Sequence, residues 1–415
     1  MKVVWFSNCV LSKQQSSGSG SWLFAMKDLI NEDVELINIT SARVLNITLN
    51  NGNGIKEYLI PSLWSTKKGV PSFDNIKKIE SIILEESPDI IHIWGVEEYW
   101  ALLFSRGYIK YDKVLLEIQG VVSACADVMY GGLSPKECAQ LKSIKSTLFS
   151  NFRLSHIYRK FLRKTLYEEE IIKSFRFIAV QSQWTQNQIS AISGEKTEFF
   201  HSLRPIRQEF YKGEKWNKKE TKKPILFTSV SYYVPFKGLH VLIKALSILC
   251  QQEPTITLRI AGPNLADRPF YNLSDYERFI LNEIKKYKLE NNIHFCGKLN
   301  ASQLVKEIQN ADVIVNPSLV ESYSAAAAES LYLGAPTVLA YAGAMVDFSE
   351  LMPVALYYNP LDCRTLVARI KTLLKDADIR TSLIANAVEV LITKCSPENV
   401  KERQLEIYKT IVNCD

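Results

Sequence analysis

No stretch of this chain holds the roughly 18 to 20 uninterrupted apolar residues of a membrane-spanning helix, so the fold must rest on cores of its own. The opening residues, Met1-Lys-Val-Val-Trp-Phe6, lack the charged start, apolar stretch and small-residue cleavage site of a signal peptide and read as a first strand, which makes a cytoplasmic location the expectation. Eight cysteines are scattered from Cys9 to Cys414 without one Cys-x-x-Cys pair, which argues against a zinc or disulfide framework and for reduced thiols. Histidine is scarce, with five in 415 residues, and Asp-x-Asp occurs once, at Asp376-Ala-Asp378, between helical stretches and away from any strand end. That pair reads as a surface turn, so neither a catalytic metal nor a bound cofactor is expected. A complete Gly-x-Gly-x-x-Gly is also missing, and no internal repeat exceeds a broad likeness between two α/β halves.

What is present suits an α/β protein. A chain of 415 residues can form two domains with separate cores, and 47% hydrophobic against 23% charged residues is ordinary for that class. The net charge of +6 is unevenly placed: Lys136–Arg176 carries ten Lys/Arg against four Glu. Within that tract Leu148, Phe149, Phe152, Leu154, Ile157, Tyr158, Phe161 and Leu162 interleave with Arg153, Arg159, Lys160, Arg163 and Lys164. Such a segment suits either a solvated helical face with core contacts or peripheral contact with an anionic membrane. No nucleic-acid-binding motif accompanies the charge, so nucleic acid is not an expected partner.

The densest signal lies between Asn316 and Phe348. The apolar run Ala311–Val315 reads as a buried parallel strand, and Pro317 and Ser318 break it. Ser322-Tyr323-Ser324 can cap a helix over 325–333; Gly334 suits its left-handed end, Pro336 blocks continuation, and a strand follows to Ala340. This strand–loop–helix–strand unit puts its loop at the carboxyl end of a parallel sheet, where open α/β sheets bind ligands. Glu321 and Glu329 bracket the helix with seven residues between them, and Ala325–Ala328 let another group approach closely. The helix start offers free N–H groups to a phosphate, and the carboxylates can accept from sugar hydroxyls. Together they suit a sugar nucleotide.

Two further stretches have the same strand–turn–helix form: Pro224–Val230 leading into Ser231–Gly238 and a helix over 239–249, and Thr257–Ala261 ending in a turn at Gly262-Pro263. In the first half, Val3–Phe6 leads into a polar loop containing Gly18 and Gly20 and then a helix, a phosphate- or sugar-compatible arrangement that a plain flexible loop would match equally. Strands are also expected over 34–39, 57–60, 88–95, 113–120 and 175–180, with His92 a core histidine. The polar, lysine-rich Glu214–Lys223 reads as a linker. The expected domains are therefore 1–213, 224–395 and a terminal helical segment, 396–415.

The Glu-x7-Glu spacing, the preceding Asn316-Pro317-Ser318, the trailing Gly334-Ala-Pro-Thr-Val-Leu339 and Lys237-Gly238 resemble the donor site of retaining GT-B glycosyltransferases of family 4, and Val121–Tyr130 with Gly131-Gly132 resembles the variant in bacterial surface-polysaccharide transferases. The resemblance implies two Rossmann-like domains facing each other across a cleft, with the acceptor held by the first and a nucleoside-diphosphate sugar by the second. It implies that Glu321 contacts the donor sugar, Glu329 holds the ribose hydroxyls and Lys237 neutralises the diphosphate. Ser322, Tyr323, Ser324, Tyr232, Gly238, Gly262, Gly18 and Gly20 would complete the donor site, and the acceptor would be a glycan or lipid-linked saccharide. The resemblance also places the segment after Val400 back on the first domain, and His201 in an interdomain, structural role. Two departures stand out. Gln119 occupies the place of the family's histidine near the reacting sugar, where it can orient substrate but cannot act as a base, and Tyr232 stands at or beside the family's arginine position. These departures motivate the alternative of a catalytically weak sugar-nucleotide-binding or scaffold subunit. A sugar-nucleotide epimerase would need more cleft histidines and carboxylates than the sequence offers.

Overall fold

The computed structural model describes residues 1–13, 20–64, 69–141, 147–149, 153–217 and 223–414. Gly18, Phe152 and most of the lysine-rich stretch 218–222 lie outside the described residues. The chain divides into two compact units, one of residues 1–121, 164–205 and 394–415, the other of 122–163 and 206–393.

The first unit is built on β1 (Lys2–Ser7), β2 (Glu35–Ala42), β3 (Thr48–Gly52), β4 (Ile55–Pro61), β5 (Ile90–Trp94), β6 (Val114–Glu117), β7 (Phe177–Val180) and β8 (Glu198–His201), in the order β3-β4-β2-β1-β5-β6-β7-β8. Every pairing is parallel except β3 with β4, a hairpin whose two-residue turn, Asn53-Gly54, has positive φ at both positions and matches the right-handed strand twist. β5, β6 and β7 are buried along their whole length, which is why they read as apolar runs broken only by His92 and Glu117. Glu57 of β4 is fully buried and accepts from Leu11 N (2.7 Å), Ser12 N (3.1 Å) and Asn38 Nδ2 (2.7 Å), so one carboxylate fixes the loop that leaves β1. Gly20 begins the next helix at φ +86°, and a Cβ there would meet Cys9 Sγ at 2.2 Å.

The second unit contains β9 (Ile225–Thr228), β10 (Thr257–Ile260), β11 (Ile293–Phe295), β12 (Val313–Asn316), β13 (Thr337–Ala340) and β14 (Leu356–Tyr358) in the order β11-β10-β9-β12-β13-β14, all parallel. Counting along the chain this is 3-2-1-4-5-6, the doubly wound nucleotide-binding order, and the direction of winding reverses between β9 and β12. The helix Leu239–Cys250 buries Leu239, Val241, Leu242, Ile243, Ala245, Leu246 and Leu249 and packs against the helix Cys363–Lys375. The fold class is thus α/β with two Rossmann-like sheets.

The units correct the expected boundaries. Residues 122–163 group with the second unit rather than the first: His240 Nε2 lies 3.0 Å from the Gly131 carbonyl, Leu154 N donates to Asp275 (3.1 Å), and the Phe161 and Phe236 rings meet at 6.4 Å. The expected linker begins as anchored chain, because Trp216 donates from its backbone to Leu333 O and from its indole to Ala311 O, both at 2.7 Å. The break falls at 205/206 instead.

At the other end the helix Pro397–Val412 belongs to the first unit and buries Tyr408 completely. The Tyr408 hydroxyl accepts from Trp5 Nε1 (2.9 Å) and sits 2.8 Å from His92 Nδ1, with His92 Nε2 3.5 Å from Glu117. His92 is a core residue, and burial holds its pKa below the ordinary value. Since the folded pKa is the lower one, the unfolded chain binds the extra proton; this contribution is present above the ordinary histidine pKa and is lost as pH falls below it. Tyr408→Phe leaves Trp5 Nε1 and His92 Nδ1 without that partner, and urea unfolding should show a loss of about 1–3 kcal/mol with an unchanged slope.

Candidate active site

The loops that follow β9 and β12 meet at the carboxyl edge of the second sheet. Gly238 has φ +74°, and a Cβ on it would stand 1.9 Å from the Pro317 carbonyl oxygen, so the two backbones touch where any side chain would separate them. Leu319 N donates to Phe236 O (2.8 Å) beside this contact. Across it, Lys237 Nζ pairs with Glu321 Oε1 at 2.7 Å, both side chains partly open to solvent. The loop after β13 holds the Glu321 backbone: Ala344 N donates to its main-chain carbonyl (2.8 Å), and a Cβ on Gly343 would meet that same oxygen at 2.2 Å.

The helix Ala325–Tyr332 begins at Ser324, whose left-handed backbone (φ 66°) is held by Asn316 Nδ2 donating to its hydroxyl (2.7 Å) while that hydroxyl caps Ala327 N. Ser322 and Ser324 are buried, and Tyr323 packs its ring edge-on to Phe348 at 5.8 Å. One helical turn past the cap, Glu329 is buried and receives a two-pronged hydrogen bond from Arg207, Nε to Oε1 and a terminal nitrogen to Oε2, each 2.6 Å. Burial pushes the Glu329 carboxyl above its ordinary pKa, and the guanidinium opposes that shift. Arg207 takes one lone pair on each oxygen and leaves the others for further donors.

Tyr232 lies in the loop after β9 and turns toward the β10 turn. Its hydroxyl donates to Pro263 O at 2.7 Å and lies against Gly262, whose missing side chain makes the room; burial lifts its pKa to about 12. With its single proton committed, Tyr232 serves as a wall that shapes the β10 turn, and a phosphate would find no donor there. Gly262 is tied to Gly297 by reciprocal backbone bonds of 2.8 and 2.9 Å. Thus Lys237, Gly238, Glu321, Ser322, Tyr323, Ser324 and Glu329 gather on the loops and helix that follow β9 and β12, with Tyr232 and Gly262 at the neighbouring turn. Gln119 and Gly20 lie in the first unit, and Gly18 is outside the described residues. Sequence reasoning missed the role of Arg207, which lies 122 residues before Glu329 with no spacing that links them. Asp376 and Asp378 flank the junction of the helices Cys363–Lys375 and Ala377–Cys395, and His201 pairs with Gln186.

This stretch of chain, 212–390, matches the family described as glycosyl transferases group 1. The chain is 25% identical over 185 residues to the uncharacterized glycosyltransferase YqgM of Bacillus subtilis, a match covering 45% of this chain and 49% of that protein. It therefore spans about half the length of the curated relatives it matches. Among solved structures it resembles sucrose-phosphate synthase from Thermosynechococcus elongatus, with a TM-score of 0.70 at 15% identity over 99% of this chain and 98% of that one. It also resembles Anabaena HepE in complex with UDP-glucose, with a TM-score of 0.65 at 15% identity and the whole of both chains covered. At that identity the likeness shows the fold, which is GT-B.

Two tests follow from this geometry. Gly238→Ala forces either φ or the Pro317 contact to change and should cost more than about 1 kcal/mol in denaturant unfolding. Arg207→Met strands a buried carboxylate and should cost about 3–5 kcal/mol at pH 7.5. In that variant the folded Glu329 pKa lies above the unfolded one, so protonation favours the fold and the deficit should shrink when the unfolding is repeated at pH 5.5.

Proposed function

We propose that the protein is a retaining glycosyltransferase that moves a sugar from a nucleoside-diphosphate sugar to a glycan or lipid-linked saccharide in bacterial surface-polysaccharide assembly. The observation that carries this reading is the pairing of Lys237 with Glu321 over a Gly–Pro backbone contact at the winding reversal of a nucleotide-binding sheet, with the buried Glu329 behind it. In this reading the diphosphate takes Lys237 from Glu321. The freed Glu321 accepts from hydroxyls of the donor sugar, and the open lone pairs of Glu329 accept from the ribose. Charge builds on the diphosphate as the anomeric bond breaks, and a fixed ammonium aimed there stabilises it. The acceptor oxygen attacks from the face the diphosphate leaves, and its proton passes to a diphosphate oxygen. UDP is the first nucleotide to try, because HepE was solved with UDP-glucose.

A peripheral membrane contact belongs to the same reading. The helix Leu154–Ser174 exposes Leu162 and Leu166 near Arg159, Lys160 and Arg163, and Leu148 and Phe149 are exposed just before it. Among the described residues no helix is long and apolar enough to cross a membrane. Basic and apolar groups together would hold the protein beside a lipid-linked acceptor.

The test is a calorimetric panel of UDP-, GDP-, ADP- and CMP-sugars, with nucleotide release followed in parallel. One donor should bind and be slowly hydrolysed, Glu329→Ala should abolish binding, and Lys237→Ala should lower release about 10²–10³-fold. Binding without turnover across a broad acceptor set would instead favour a scaffold subunit, and no binding at all would overturn the donor site.

A further inference from the structure

The short turn that carries Lys237, Pro235–Lys237, is closed by Gly238 N donating to Pro235 O at 2.9 Å, and it is gripped from two sides. On one side stands the loop after β12, with Pro317 against Gly238 and Leu319 N on Phe236 O. On the other stands the segment 122–163, which belongs to the same unit. Gly131 lies directly on the carbonyl that closes the turn: its φ is +62°, and a Cβ there would stand 2.6 Å from Pro235 O. Phe161 adds a ring contact to Phe236 at 6.4 Å.

His240 binds this second side to the turn. It sits at the start of the helix Leu239–Cys250, just past Lys237-Gly238. Its Nε2 is 3.0 Å from Gly131 O, and its Nδ1 is 2.7 Å from the Tyr276 hydroxyl, which also accepts from His240 N at 3.2 Å. A carbonyl can only accept, so Nε2 carries the proton and Nδ1 takes one from Tyr276. Burial pushes the pKa of the ring down to about 4, so this neutral tautomer is the form present near pH 7. Gly131 is thus held to the turn twice, by its own carbonyl on His240 and by its bare Cα on Pro235 O.

A diphosphate that draws Lys237 away from Glu321 also removes the partner that aims the ammonium. The backbone of the turn must then aim it, and a misplacement of about 1 Å can cost two orders of magnitude in what such a group contributes. We propose that His240 is a positioning residue for Lys237: by holding Gly131 against the Pro235 carbonyl, it keeps the turn where Lys237 meets the diphosphate. This rests on the transferase reading above and deepens it, adding to the donor site a side chain that acts through the turn and not on the ligand.

The experiment measures, in the full chain, how much more tightly a nucleoside diphosphate binds than its nucleoside. The probes are UDP with uridine, GDP with guanosine and ADP with adenosine, the diphosphates by calorimetry and the nucleosides by saturation-transfer NMR. A general loss of fold lowers both members of a pair alike, so their ratio isolates the diphosphate. Lys237→Ala should lower that ratio about ten-fold or more. His240→Leu should lower it about five-fold with nucleoside affinity unchanged, and should lower it no further when added to Lys237→Ala. His240→Gln keeps an N–H for Gly131 O and should lie closer to the wild type. Gly131→Ala pushes the segment off the turn from the opposite side and should reproduce the loss, which keeps the test open if His240→Leu does not fold. A ratio lowered by Lys237→Ala but untouched by His240→Leu and Gly131→Ala, or losses that add in the double variant, would overturn this proposal and leave the donor reading standing. A ratio that Lys237→Ala leaves unchanged, or no nucleotide bound by the wild type, would overturn both.

Discussion

The Pro317 carbonyl and the Cα of Gly238 stand so close that only hydrogen fits between them. The arrangement of the second unit's site follows from this contact. It brings the loop after β9 against the loop after β12, and it puts Lys237 within reach of Glu321 across the junction. The junction also fixes how β12 hands over to the helix Ala325–Tyr332, because Asn316 at the strand end reaches forward to the capping Ser324. A positive-φ glycine and a proline next to a strand end are both rigid choices, one by permission and one by restriction. The site is therefore set by backbone packing before any side chain contributes.

Charges at the site are stored in pairs. Lys237 with Glu321 is partly solvated and readily exchanged, whereas Arg207 with Glu329 is buried, two-pronged and short. The two pairs differ in what separation costs. The first needs only a competing anion, whereas the second must keep its guanidinium for the carboxylate to stay charged, so a ligand there adds hydrogen bonds without displacing the cation. The site thus combines one replaceable partner with one permanent one.

Much of this was readable from residue order. Buried parallel strands announce themselves as apolar runs, and the spacing of Glu321 and Glu329 around an alanine-rich helix survived intact into the structure, as did the left-handed Gly334 behind it. Less readable was what depends on distant pairing. No spacing in sequence links Arg207 to Glu329, and nothing near Tyr232 reveals that its hydroxyl donates to Pro263 O. The stretch 122–163 was assigned to the wrong unit because interleaved aromatic and basic residues forecast an amphipathic helix without naming the surface it covers. The Asn53-Gly54 hairpin was the one local signal passed over, and it adds only the edge strand β3.

The bond from Trp5 to Tyr408 joins residues 403 positions apart, and His92 to Tyr408 spans 316. Both lie in the centre of the first unit, whose core therefore needs β1 and the helix Pro397–Val412 together. Until that helix packs, β1 and β5 can pair, but the Trp5 indole and His92 imidazole lack their hydroxyl partner. The second unit carries no such debt to the terminus, since its strands lie within 225–358. The sheet of the second unit, though later in sequence than β1, can therefore form without the helix that the core of the first unit requires.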